Sequence, residues 1–85
     1  MDTSNASPSE LLRTAMRSRH LATRIRAMRA LEAVLEREQQ QAAAEMRLHG
    51  ATWQEIADEF GVSRQGAWER FHTAAAVDAL RATHR

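Results

Sequence analysis

The chain has 85 residues, a formal net charge of +1 and no cysteine. A length of this order supports one small domain, and the lack of cysteine removes any disulfide framework, thiolate nucleophile or thiolate metal site. Leu, Ile, Val and Phe make up about a sixth of the residues, a thin supply for a monomer's core that raises the expectation of self-association.

No apolar run approaches the ~20 residues needed to cross a bilayer. The opening MDTSNASPSE has neither the basic start nor the apolar centre of a secretory signal. A soluble, unprocessed, cytoplasmic protein with no membrane partner is therefore expected. Charge is unevenly spread: six arginines and no acid lie between Leu11 and Leu31, seven acids against Arg37 and Arg47 lie between Glu32 and Val62, and the segment from Ser63 is basic again. Every basic side chain other than histidine is arginine.

Residues 1–7 are small and polar and are expected to be disordered. SPSE reads as a helix start, with Ser7 as N-cap, Pro8 at the first helical position and Glu10 closing a capping box. From there to His49 neither Gly nor Pro occurs, an interval of about 40 residues that would extend ~60 Å as one helix. The apolar phase argues for two helices instead. Leu11, Leu12, Ala15 and Met16 share one side, whereas Leu21, Ile25, Met28, Leu35, Ala42 and Met46 fall nearly opposite. A short helix from Pro8 to Arg17, a break near Ser18 to His20 and a long helix from Leu21 to Leu48 are predicted.

Gly50 stands where a left-handed residue ends the long helix. Thr52 with Glu55 forms a second capping box, stapled by Ala51 and Ile56, and opens a helix from Trp53 to about Phe60. Gly61 breaks it. Ser63 caps the next helix, with Val62 and Ala67 as staple, which continues to about Leu80 before residues 81–85 fray. No alternating strand pattern is present, so the fold class expected is all-α.

The segment Trp53 to His72, about a quarter of the chain, resembles the helix-turn-helix motif of bacterial DNA-binding proteins. It is similar to small sigma-region-4-like and regulator modules of actinobacterial type, whose core reads SWQEIAxxLGVSRQAAxxRF. Ile56, Ala57, Phe60, Gly61, Val62, Ser63 and Ala67 fall at the motif's apolar, small, apolar, glycine, apolar, N-cap and small positions. Physical reasons stand beside the likeness. Ala57 is small where two helices cross closely, Gly61 can take the positive φ of a tight turn, and Ile56, Phe60, Val62, Ala67 and Phe71 make one inward patch. The sequence departs from the motif at Arg70, where an apolar residue is usual, with Phe71 taking the core role one residue later.

The helix signals and apolar stripe give a helical segment, 8–49, for packing and dimerisation, and the resemblance implies that the unit following it, 50–80, binds DNA. With Ala67, Phe71 and Ala74 inward, the outward side of the last helix carries Gln65, Glu69 and His72, flanked by Arg64 and Trp68. Arg64 and Gln65 are the candidates for base contacts, because Arg bonds guanine and Gln bonds adenine in bidentate fashion in the major groove. Ser63 and the first free N–H groups suit a phosphate, and Arg70 is a candidate backbone anchor. Glu69 either accepts from cytosine or, in the favoured reading, pairs with a neighbouring arginine such as Arg70 of a partner or stays in water. Trp68 packs on its own protein in the favoured reading and on a base or sugar in the other, and Trp53 is read as structural, against Leu48 or Met46. Gly66 in the first turn has two readings, close approach to the DNA backbone or simple tolerance.

The stripe Leu21, Ile25, Met28, Leu35, Ala42 and Met46 is longer than one short hairpin covers, so a homodimer through the long helix is expected, with Leu21, Ile25, Met28 and Leu35 as its interface. An antiparallel pairing would bring Arg24, Arg26 and Arg29 near Glu36, Glu38 and Glu45 of the other chain. Glu69-x-x-His72 has a di-iron spacing but no second copy, and no phosphate loop or nucleophile constellation is visible, so neither enzyme, metal nor cofactor is expected. The reading is a sequence-specific transcriptional regulator bound to double-stranded DNA on the nucleoid. A helical adaptor for RNA polymerase or a sigma factor, or an architectural DNA protein, is the alternative.

Overall fold

In a computed structural model of the chain, which describes residues 6–83, four α-helices follow one another: α1 (Pro8–Arg17), α2 (Leu21–Leu48), α3 (Trp53–Phe60) and α4 (Arg64–Thr83). No strand occurs among the described residues, so the fold is all-α. The expected fraying of residues 1–5 and 84–85 lies outside the described residues, and α4 continues past its expected end at Leu80. No helix among the described residues is long and apolar enough to cross a membrane.

Each helix boundary has a local cause. Ser7 is extended and its hydroxyl accepts from the Glu10 N–H at 3.2 Å, with Pro8 beginning α1. Ser18 is extended and ends it, its N–H donating to Thr14 C=O at 3.1 Å. Gly50, at φ 91°, closes α2: its N–H donates to Arg47 C=O at 3.0 Å and the Ala51 N–H donates to Met46 C=O at 3.0 Å. That pair of bonds is a Schellman motif, which only a left-handed residue permits. Thr52 and Glu55 form the capping box of α3, and Gly61, at φ 68°, repeats the Schellman ending through Val62 N–H to Ala57 C=O at 3.0 Å.

The chain divides into two compact units, Met1–Arg37 and Glu38–Arg85, so the boundary falls inside α2. The first unit buries Leu11, Ala15 and Ala27, with Ala6, Ala30, Leu31 and Val34 packed against them. Arg24 is tied down there, its Nε donating to Ala15 C=O at 3.1 Å. Leu12 and Met16, expected on the same side as Leu11 and Ala15, are exposed instead. Two helices approach closely only where side chains are small, and the alanines meet that need while the longer side chains splay outward.

The second unit buries Ala43, Ile56, Ala57, Ala67 and Phe71 completely, with Met46, Ala51, Trp53 and Phe60 packed round them. The Phe60 and Phe71 rings meet at 4.7 Å and 38°, a tilted geometry favoured by their quadrupoles. Val62 departs from the expected inward patch: it follows the left-handed turn on the outside and stays exposed. The expected stripe along α2 also divides. Met46 joins this core, Ala42 is exposed, and Leu21, Ile25, Met28 and Leu35 belong to neither buried cluster among the described residues, being 70%, 57%, 40% and 50% exposed.

Two predictions test these ends. At Gly61 an added Cβ would meet nothing within 4 Å, so the cost of Gly61→Ala is backbone strain alone, roughly 1–2 kcal/mol; Gly61→Asn should cost less, both read as shifts in urea midpoint. The Thr52 N–H and then its hydroxyl hold the Glu55 carboxylate below the ordinary glutamate pKa. Because the folded value is the lower one, the charged form adds stability above the ordinary pKa, and that contribution is lost as pH falls through the lowered one. Glu55→Gln should therefore flatten that part of the acid limb in urea melts taken from neutral to acidic pH.

Candidate functional site

The first turn of α4 is built from the cap outward. Ser63 Oγ accepts from the Gly66 N–H at 2.9 Å, fixing where the helix begins; its own O–H hydrogen remains to donate elsewhere. Gly66 has a local explanation. A Cβ there would sit 3.1 Å from Ser63 Oγ, so a side chain would press on the cap that starts the helix. Ala67 and Phe71 turn inward and are fully buried, which leaves Ser63, Arg64, Gln65 and Glu69 exposed.

Those four polar residues are brought together on the exposed side. Gln65 Nε2 donates to Glu69 Oε1 at 2.9 Å, one helical turn along. Arg64 and Gln65 share a shallow concavity with Trp53 and Trp68. Trp68, 45% exposed, lies parallel to the His72 ring with centroids 4.1 Å apart and planes 6° from each other. His72 is half-buried, and its Nδ1–H donates to Trp68 C=O at 2.8 Å. The histidine is thus oriented by its own helix and holds the tryptophan ring in place.

Arg70 is set apart from this group. Its Nη2 donates to Gln39 Oε1 on α2, its guanidinium carbon lies 4.9 Å from the Phe71 ring centroid, and its backbone carbonyl accepts from Gln40 Nε2 at 2.8 Å. The departure from the motif at this position has a structural counterpart: where an apolar side chain would have packed, Arg70 reaches across to α2. Gln39 and Gln40 were not singled out in the sequence, since glutamines in a run of three on a polar helix carry no signal of a long-range bond.

A third residue that sequence reasoning passed over is Arg47. Its Nη1 donates to Ala51 C=O at 2.8 Å and its guanidinium lies 5.0 Å from the Trp53 ring centroid. Trp53 is half-buried on the core beside it. Among the described residues no group of three or more His, Asp or Glu side chains could hold a metal ion. Compared with protein families, curated proteins and solved structures, the chain matches none.

Proposed function

We propose that the protein is a sequence-specific DNA-binding transcriptional regulator in which α3 and α4 form a helix-turn-helix, α4 enters the major groove, and two copies act as a homodimer. The observation that carries this reading is the exposed polar first turn of α4, Arg64 and Gln65, standing over a core in which Ala57, Ala67 and Phe71 are fully buried.

Arg64 supplies a planar fork for guanine O6 and N7, and Gln65 a carboxamide for adenine N6 and N7. The bond to Glu69 aims that carboxamide, using one of its two N–H hydrogens and leaving the other, with Oε1, for a base edge. Ser63 O–H and the first free N–H groups of α4 bind a phosphate. Glu69 orients its neighbour, Trp68 and His72 form the flank of the surface, and Arg70 supports α4 from α2 rather than reaching the strand. The protein then acts in the cytoplasm, on the nucleoid, with contact to RNA polymerase or a sigma factor as a further step of regulation.

Dimerisation is assigned to the exposed apolar face Leu21, Ile25, Met28 and Leu35. Large aliphatic side chains in one row on a helix are costly to leave in water, at roughly 25 cal/mol per Å² of apolar surface, and a second copy presents the same row. The uneven charge along α2 favours the antiparallel pairing, in which its basic start meets the acidic middle of the other chain.

Selection of bound duplexes from a random pool should enrich a two-fold symmetric site. In Arg64→Ala and Gln65→Ala the preference at one position per half-site should relax, each by about 1–3 kcal/mol. A pool that shows no enrichment, or protein with no salt-dependent retention of DNA, would sink the regulator reading in favour of the architectural or adaptor alternatives. Ile25→Glu should convert the dimer to a monomer in sedimentation equilibrium with helical circular dichroism unchanged; undiminished self-association would remove this face as the interface.

A further inference from the structure

Trp53 and Trp68 line two concavities on the second unit. One is shared with Arg64 and Gln65, the other with Arg47, Leu48, His72 and alanines of α4. Arg47 and Arg64 therefore stand beside the same two tryptophans, and among the described residues no carboxylate lines either hollow. The surface is a cationic groove with aromatic walls, and its complement is a polyanion.

Arg47 is preorganised for such a partner. The bond to Ala51 C=O and the cation–π contact with Trp53 restrain its guanidinium, so less rotamer entropy remains to be lost when an anion binds. A guanidinium has five N–H donors, and the bond from Nη1 to Ala51 leaves the others for a phosphate. We propose that this groove seats a stretch of the sugar–phosphate backbone of duplex DNA, with Arg47 of α2 as a phosphate contact outside α4 and Trp53 and Trp68 as the apolar wall beside the sugars. The inference rests on the DNA-reading role proposed for α4 and extends its footprint to the end of α2. The ordinary alternative is that Arg47 only complements the negative end of the α2 dipole and bonds Ala51. That role carries no effect on the salt dependence of binding.

The two tryptophans of the chain both line the groove, so intrinsic emission reports its occupation. The test titrates the full chain, and Trp68→Phe, with its selected duplex and with an unrelated duplex over a series of salt concentrations, alongside Arg47→Gln and Arg47→Lys. Emission should change on both duplexes, including the Trp53 signal isolated in Trp68→Phe. Arg47→Gln should weaken both duplexes by the same factor and lower the slope of log K against log salt by about 0.9, the share of one phosphate. Arg47→Lys should keep the slope, and the base preference should be unchanged in both variants. Trp68→Phe protein that binds duplex with unaltered emission overturns the groove assignment while leaving the reading of α4 intact, as does an Arg47→Gln slope equal to wild type. Failure of the wild type to retain any duplex overturns both. Poly-glutamate that shifts emission as strongly as duplex at equal salt reassigns the groove to an acidic polypeptide and also overturns the proposal. Should Arg47→Gln not fold, the Trp53 signal alone decides the outcome.

Discussion

The close crossing of α3 and α4 is the constraint on which the second unit depends. Ala57 and Ala67 are both fully buried, and Ile56 and Phe71 are the largest fully buried side chains among the described residues. Two methyl groups at the crossing let the helix backbones approach, and the bulkier pair then fills the space around them. A left-handed glycine makes the connection short enough for this to happen. Enlarging either alanine would force the helices apart and turn the whole face of α4.

That face has its direction set by polar bonds as well as by packing. Phe71 occupies the inward position, which points the side chain before it, Arg70, toward α2, where Gln39 accepts from its guanidinium and Gln40 bonds its carbonyl. A helix one turn from its start is therefore held on two sides, by an apolar core and by a polar link. The exposed first turn inherits the orientation. In the proposed function this is what a reading helix requires, because base contacts are made by side chains whose backbone has already been placed.

The first unit solves a different problem with scarce material. Among the described residues its buried set is mostly alanine, with Leu11 the one large side chain that is almost fully covered. Small side chains buy close packing but little transfer free energy, since that scales with the apolar area removed from water. Leu21, Ile25, Met28 and Leu35 are four of the larger apolar side chains of α2, and all four are exposed. Covering that row by a second copy, as proposed, would add the burial that the alanines do not provide.

The start of α1, the close of α2, both ends of α3 and the start of α4 were legible in the sequence, from Ser7 and Pro8 through Gly50, Thr52 with Glu55, and Gly61 to Ser63, whereas α4 runs past its expected end at Leu80. Each legible end is decided by hydrogen bonds and φ angles within a span of a few residues, so the information sits next to the place where it acts. The polar turn Arg64–Gln65 was legible for the same reason, as the remainder once Ala67 and Phe71 had been placed inward. Which side of α2 is covered was not. Hydrophobic periodicity weights Leu and Ile above Ala, yet burial depends on how near another helix comes, and nearness favours Ala27 and Ala43. The bond from Arg70 to Gln39 and the seat of Arg47 on Trp53 likewise join segments that no local pattern connects. Helix capping is a property of neighbours along the chain, whereas cover and long-range pairing are properties of neighbours in space, and only the tertiary structure decides those.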